Sequence, residues 1–294
     1  MKAPTDKKND TIQIIVTRAC QLQCSNCTQL LPFRRDAKHM STAVFREAVT
    51  SLVDWPGIVA LFGGNPCTHP EFPELCEIIT ELIPPNRRGL WSNNLGKHGQ
   101  IAADTFGRGR LNLNAHADED AAAEIDRWFP GRLIESSRKT ASWHSPILMD
   151  RRDIGMGDAE WVEAREKCDI NLRWSAAIRE HDGHAVGYFC EVAASLDGVR
   201  GENHGIPVVA GWWRWKMDQF DNQVKRCCDR GCGVPLKGLG HLDRDDTYDI
   251  TESWVPLTLD RPKRVLTKLH TTMPATTEIP TDYQSRWSKK VEAV

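Results

Sequence analysis

Apolar positions in the first half of the chain alternate between two spacings. Thr11-Ile12-Gln13-Ile14-Ile15-Val16 is a short β-branched run that reads as a buried strand. Ile58-Val59-Ala60-Leu61-Phe62, a stretch at 89–92, and Leu111-Asn112-Leu113-Asn114 read as three further strands. Between them the period lengthens. Val44, Ala48 and Leu52 share one helical face within 43–53, with Ser41-Thr42 supplying a hydroxyl cap. A second helix over 72–82 stops at Pro84-Pro85, and another lies around 120–129. Strands alternating with helices predict parallel βα units, with 133–136 and 145–149 as the last two strands. Beyond about residue 150 the periodicity fades, although His181-Asp182-Gly183-His184 predicts a hairpin turn before Val186-Gly187-Tyr188-Phe189-Cys190. From Pro256 the chain is rich in Thr and Pro, and residues 261–294 carry seven Lys or Arg against three Asp or Glu. That composition predicts a surface-draped tail or an electrostatic contact for an anionic partner.

Composition narrows the class. The 294 residues hold 38 Lys plus Arg and 40 Asp plus Glu, a formal charge of −2, which gives no global argument for nucleic acid or acidic membranes. Residues 1–10 are polar and read as a flexible lead-in, and no run approaches the roughly 18 apolar residues of a membrane span. A cytoplasmic protein is expected, in a host cytoplasm if phage-encoded, with no membrane partner. Ten cysteines at short, clustered spacings in a reducing compartment point to metal ligation before disulfides. Cys67 and Cys76 are read instead as small buried residues.

The densest cluster is Cys20-Gln21-Leu22-Gln23-Cys24-Ser25-Asn26-Cys27, directly after the first strand. Cysteine thiolates ligate iron-sulfur clusters, and three of them hold three irons of a cubane and leave the fourth open. A zinc knuckle is the alternative, but zinc wants four ligands and only His39 stands near as a fourth. The spacing C-x3-C-x2-C on the loop after a first strand resembles the radical S-adenosylmethionine superfamily. Phe62-Gly63-Gly64-Asn65-Pro66, ending in His69-Pro70, is similar to that family's Gly-Gly-Glu-Pro stretch, with Asn65 in place of Glu. Trp91-Ser92-Asn93-Asn94 and Leu113-Asn114-Ala115-His116 resemble two further strand-end regions near the cosubstrate, and Asn26 replaces a frequent aromatic.

The resemblance implies a partial (β/α)6 TIM-like barrel over 11–155, followed by a cysteine-rich region over 156–255 and a tail over 256–294. It implies that Cys20, Cys24 and Cys27 hold a 4Fe-4S cluster, with Gly63, Gly64, Asn65, Ser92 and Asn114 touching S-adenosyl-L-methionine. It also implies a reductant such as flavodoxin or ferredoxin, reductive cleavage to a 5′-deoxyadenosyl radical, and hydrogen abstraction from a substrate. No residue is assigned to redirecting the substrate radical; Cys67, His116 and His144 are only guesses.

Cys168, Cys190, Cys228 and Cys232 resemble the ligands of SPASM or Twitch auxiliary clusters, with Cys227 as a substitute; zinc has the same ligand demand. For the substrate two readings stand. The first is rearrangement or oxidation of an amino-acid-derived or peptidyl group, although a strand beginning by residue 11 leaves no room for a leader-binding domain before it. The second is an isomerase on a modified nucleotide in DNA, supported by Arg87-Arg88, Arg108-Gly109-Arg110, Arg151-Arg152 and Trp212-Trp213-Arg214-Trp215-Lys216, where indoles would stack on bases. The tryptophan cluster also reads as an aromatic plug. A non-catalytic zinc or iron-sulfur protein is the third reading.

Overall fold

The computed structural model describes residues 1–7, 10–34, 38–135, 143–173, 176–236, 241–242, 247–259 and 266–272. Four βα steps open the chain: β1 (Thr11–Thr17), α1 (Thr42–Thr50), β2 (Ile58–Gly63), α2 (Phe72–Leu82), β3 (Arg88–Ser92), α3 (Gly99–Phe106), β4 (Arg110–Leu113) and α4 (Glu119–Trp128). Every residue of β1 is buried, as expected of a parallel strand covered on both faces. The helices begin where the sequence supplies caps: Ser41 Oγ accepts the Val44 N–H, and Asp118 Oδ1 accepts the Ala121 N–H at 3.0 Å. Helix α3 was not read from the sequence, because its eight residues carry only a short apolar stripe.

The second half supplies β5 (Trp143–His144), α5 (Asp158–Glu166), α6 (Asp169–Arg173), β6 (Ala176–His181), β7 (His184–Tyr188), α7 (Glu191–Arg200), β8 (Ile206–Pro207) and α8 (Asp221–Gln223), which runs on into a π-helical turn at Val224–Cys228. It closes with β9 (His241–Leu242), β10 (Thr247–Thr251), α9 (Val255–Leu259) and β11 (Leu266–His270). The main sheet runs β4-β3-β2-β1-β6-β7-β8. Its first five strands are parallel, whereas β7 and β8 are antiparallel additions. The β6–β7 turn is the expected hairpin, with Asp182 and Gly183 both at positive φ.

As a partial barrel implies, the sheet is open: beyond β4 the fifth-strand segment contributes one parallel bridge, Leu113 to Leu133, and Leu148 bridges Cys232 and Ile250. The boundary expected near residue 155 does not divide the sheet, because β6 pairs in parallel with β1 at Ile12, Gln13 and Ile14. The N-terminal lead-in is also packed: Ala3, Pro4 and Lys7 are buried around a 3-10 turn at Pro4–Asp6. Within the expected tail, β11 pairs in parallel with β10, while 273–294 lie outside the described residues.

Of the arginine and tryptophan groups, Arg87, Arg88, Trp212 and Trp213 are engaged within the fold, whereas Arg108, Arg110, Arg214 and Lys216 are exposed. Arg88 donates to the carbonyls of Ile83, Thr80 and Thr105 near the C-terminal ends of α2 and α3, and Arg87 donates to those of Val53 and Trp55. Trp212 is fully buried, donates Nε1–H to Ser51 Oγ at 3.3 Å and packs on Gly187. Trp213 lies edge-on to Trp55 at 5.0 Å. The cluster is thus an aromatic plug beneath the β6–β7 hairpin. Trp212→Ala is expected to cost about 3–5 kcal/mol in chemical denaturation, with Arg214→Ala within about 1 kcal/mol.

Candidate metal centres

The loop leaving β1 is closed by its own polar contacts. Thr17 Oγ1 lies 2.9 Å from His39 Nδ1 and accepts the Ala19 N–H, while the Arg18 and Met40 amides donate to Lys38 and Val16. Leu30 and Phe33 plug the loop interior, both fully buried. This frame carries Cys20, Cys24 and Cys27, none in a disulfide and all half-buried. His39 faces Thr17 and the ring of His69, so it is not the extra ligand a zinc knuckle would need.

The β2 loop seats directly on that frame. A Cβ on Gly63, whose φ is +137°, would stand 2.2 Å from the Thr17 carbonyl, and one on Gly64 would stand 2.2 Å from that of Ala19. The two glycines therefore permit backbone to lie on backbone, and the amides of Gly64 and Asn65 donate to those same carbonyls at 2.8 and 2.7 Å. His69 completes the join: Nε2 donates to the Met40 carbonyl at 2.9 Å, while Nδ1 accepts the Glu71 N–H. Burial holds its pKa below the ordinary histidine value.

Asn65 is a brace. Its Oδ1 accepts from Ser92 Oγ at 2.8 Å and from the Cys67 N–H, and its Nδ2 donates to Asn94 O and Gln21 Oε1. All four hydrogen-bonding positions of the amide are used, linking the ends of β2 and β3 to the cysteine loop. Ser92 is buried in the same brace, whereas Gly64 and Asn114 stay half-buried at the strand ends. The Cys67 thiol is pushed up to about 12 by burial, and so is that of Cys76; both stay protonated at neutral pH, as small core residues.

Around the thiols the donors are specific. Cys20 Sγ accepts from the Leu22 amide and from Asn93 Nδ2, each at 3.4 Å, and Gln21 fixes Asn93 at 2.7 Å. Cys24 Sγ lies 3.9 Å from His116 Nδ1. His116 follows β4 at φ +51° and stacks on His144. Burial pushes the Cys27 thiol up to about 12, so metal binding there releases a proton. Asn26, beside Cys27, is fully buried and exchanges two hydrogen bonds with Asp249 of β10, which also holds His270 Nε2 at 2.7 Å. No sequence signal marks Asp249, since its partner lies 223 residues away.

The second cysteine set lines a small cavity with Met1, Asn171 and Phe189 among its walls. Cys168 precedes α6, Cys190 caps α7, Cys228 ends the π-helical turn and Cys232 follows it. Cys227 also borders the cavity, but its Sγ is turned to Ala193 O and Asp197 Oδ1 at 3.6 and 3.5 Å. The π turn thus lets adjacent cysteines point apart. Burial first, and neighbouring thiolate charge second, push the Cys168 thiol up to about 12 and also raise Cys228 and Cys232.

The donor spacing tests which metal fits. Tetrahedral zinc with Zn–S of about 2.3 Å places sulfurs only about 3.8 Å apart. Among the described residues, the groups of three or more donor atoms within 4.8 Å of one another are Cys24–His116–His144 and Asp197–Glu202–His204. Cys24 thus converges with two histidines, but no three cysteines of either set do so among the described residues, and sets of thiols spread more widely than the sulfurs of one zinc ion fit a multi-iron cluster. Asp197 of the other group is a buried network centre, bonded to Tyr188 OH and to the amide and ring of His204.

No protein-family model and no curated protein matches the chain. Solved structures do. The chain is similar to three proteins solved with S-adenosylmethionine bound. BtrN in complex with AdoMet and 2-DOIA matches at 16% identity and a TM-score of 0.45, over 76% of this chain and 89% of that one. SuiB of Streptococcus suis bound to S-adenosylmethionine matches at 18% and 0.32, over 43% and 30%. Native anSMEcpe with bound AdoMet matches at 14% and 0.32, over 40% and 38%.

Gly64→Ala forces the β2 loop off the cysteine loop, and the iron taken up on anaerobic reconstitution should fall below that of the wild type. Gly157→Ala, whose Cβ meets nothing within 4 Å, should leave iron unchanged in the same colorimetric assay.

Proposed function

We propose that this chain is a radical S-adenosylmethionine enzyme with an auxiliary iron-sulfur cluster, acting on an amino-acid-derived or peptidyl group by rearrangement or oxidation. One observation carries the reading: three thiols in no disulfide on the loop after β1 share a sheet edge with the ends of β2, β3 and β4, and the three do not converge on one another at mononuclear spacing. Ligands at the C-terminal ends of parallel strands are the general rule for such sheets.

Cys20, Cys24 and Cys27 would hold the first cluster. Bound there, a reduced four-iron cluster supplies the electron that cleaves S-adenosylmethionine to a 5′-deoxyadenosyl radical, the hydrogen-abstracting species. The chain's own residues set the surroundings. The Leu22 amide and Asn93 orient Cys20 by donating hydrogen bonds to its sulfur. Gly63 and Gly64 hold the β2 backbone on the loop, Asn65 and Ser92 brace it, and Gly64 and Asn114 offer the half-buried surface for the cosubstrate. Strand β10 covers the loop on its far side, with Tyr248 edge-on to Phe33 at 4.8 Å, and keeps water from Ser25 and Asn26.

Cys168, Cys190, Cys228 and Cys232 would hold the second cluster, with Cys227 turned away. The amino-acid or peptidyl substrate is favoured over DNA because Arg87, Arg88, Trp212 and Trp213 are engaged inside the fold. Among the described residues, no helix is long and apolar enough to cross a membrane.

Anaerobically reconstituted wild type with a strong reductant should form 5′-deoxyadenosine from S-adenosylmethionine, and Cys24→Ala should form none. Equal yields from both would refute the assignment of Cys24. Cys190→Ala should lower iron from about eight to about four per chain, while Cys227→Ala keeps about eight; iron unmoved by Cys190→Ala removes the second cluster.

A further inference from the structure

The N-terminal segment is stitched to the cysteine-bearing turn through one residue. Asn171, three positions after Cys168, accepts the Lys2 amide on Oδ1 at 2.9 Å and donates Nδ2–H to the Lys2 carbonyl at 3.3 Å. Its own carbonyl accepts from Lys7 Nζ at 3.1 Å. The Met1 amino group pairs with Glu166, and Met1 lines the cysteine cavity. Met1 is thereby fixed in the cavity wall, and Lys7 is held behind that wall by Asn171.

Lys7 is the unexpected member. Its side chain belongs to a residue only 3% exposed, and its ammonium lies 5.9 Å from the Phe189 ring centroid. Both of its partners, Asn171 and Phe189, line the cavity. An ammonium has three donors, and a carbonyl with a ring face is little return for burying a unit charge. Burial pulls its pKa down, and the groups that would oppose this when ionised are the Cys190, Cys168 and Cys228 thiols, together with the Glu191 carboxylate at the start of α7.

We infer that Lys7 is a positioning residue for the auxiliary cluster, its ammonium held at the cavity wall as the internal counter-charge of a buried tetrathiolate iron-sulfur group, raising that group's reduction potential. The inference rests on the auxiliary-cluster reading above. A fixed positive charge stabilises the more negative, reduced state of a nearby cluster, and low dielectric strengthens the effect. Glu191 opposes it, so the two side chains set the potential from opposite sides.

The test is a potentiometric titration of the reconstituted full chain followed by electron paramagnetic resonance, in wild type, Lys7→Met, Lys7→Arg and Glu191→Gln. The wave missing from Cys190→Ala identifies the auxiliary cluster. Lys7→Met should keep about eight irons and shift that wave to lower potential by at least tenfold in the one-electron equilibrium, about 59 mV. The other wave should stay in place, Lys7→Arg should match wild type, and Glu191→Gln should shift the same wave upward. Loss of the cluster from Lys7→Met alone, with retention in Lys7→Arg, equally supports a requirement for the charge. Full iron with an unmoved wave overturns the proposal, as does equal loss of iron from Lys7→Met and Lys7→Arg, which would make Lys7 a packing residue. A wild type with about four irons and a single wave fails earlier, at the cluster reading, and takes the proposal with it.

Discussion

Everything at the candidate centre depends on how closely two backbones can approach. The peptide leaving β2 lies on the peptide leaving β1 with no room for a side chain between them, and the contact is fastened by amides of one segment donating to carbonyls of the other. Asn65 then ties β3 into the same junction. Cysteine placement is therefore not a property of the cysteine loop alone. The loop takes its shape from a seam of main chain, and side chains add the tuning.

Strand β1 also explains why the two cysteine sets belong to one body. Its β2 side carries the βα units and its β6 side carries the hairpin that ends at Tyr188, two residues before Cys190. Cys168 precedes that hairpin. A fully buried strand shared by both regions keeps their separation fixed. Hinge motion between independent domains would not provide that.

Much of this was legible in the sequence because it is local. Strands β1 to β4, the helix over 72–82 and the hairpin turn at Asp182-Gly183 follow from periodicity and turn chemistry within a few residues. The cysteine triplet follows from spacing alone. What escaped the sequence is long-range pairing of polar side chains. Lys7 with Asn171, Asn26 with Asp249 and Cys24 with His116 join positions separated by 164, 223 and 92 residues, and no periodic signal predicts such pairs. The role of Asn65 was missed for a related reason: its place in a loop suggests a ligand contact, while its four partners come from three strand ends. Likewise the continuity of the sheet through β6 is invisible to a reading that sees only fading periodicity.

The bond between Asn26 and Asp249 sets an order of events during synthesis. The cysteine loop leaves the ribosome 223 residues ahead of the carboxylate that completes it, a delay of about 10 to 45 s at typical elongation rates. For that interval Asn26, which stands at positive φ in the complete fold, has no Asp249 to pair with, and the loop beside Cys27 lacks the cover that β10 supplies. Arrival of β10 then closes that side of the loop.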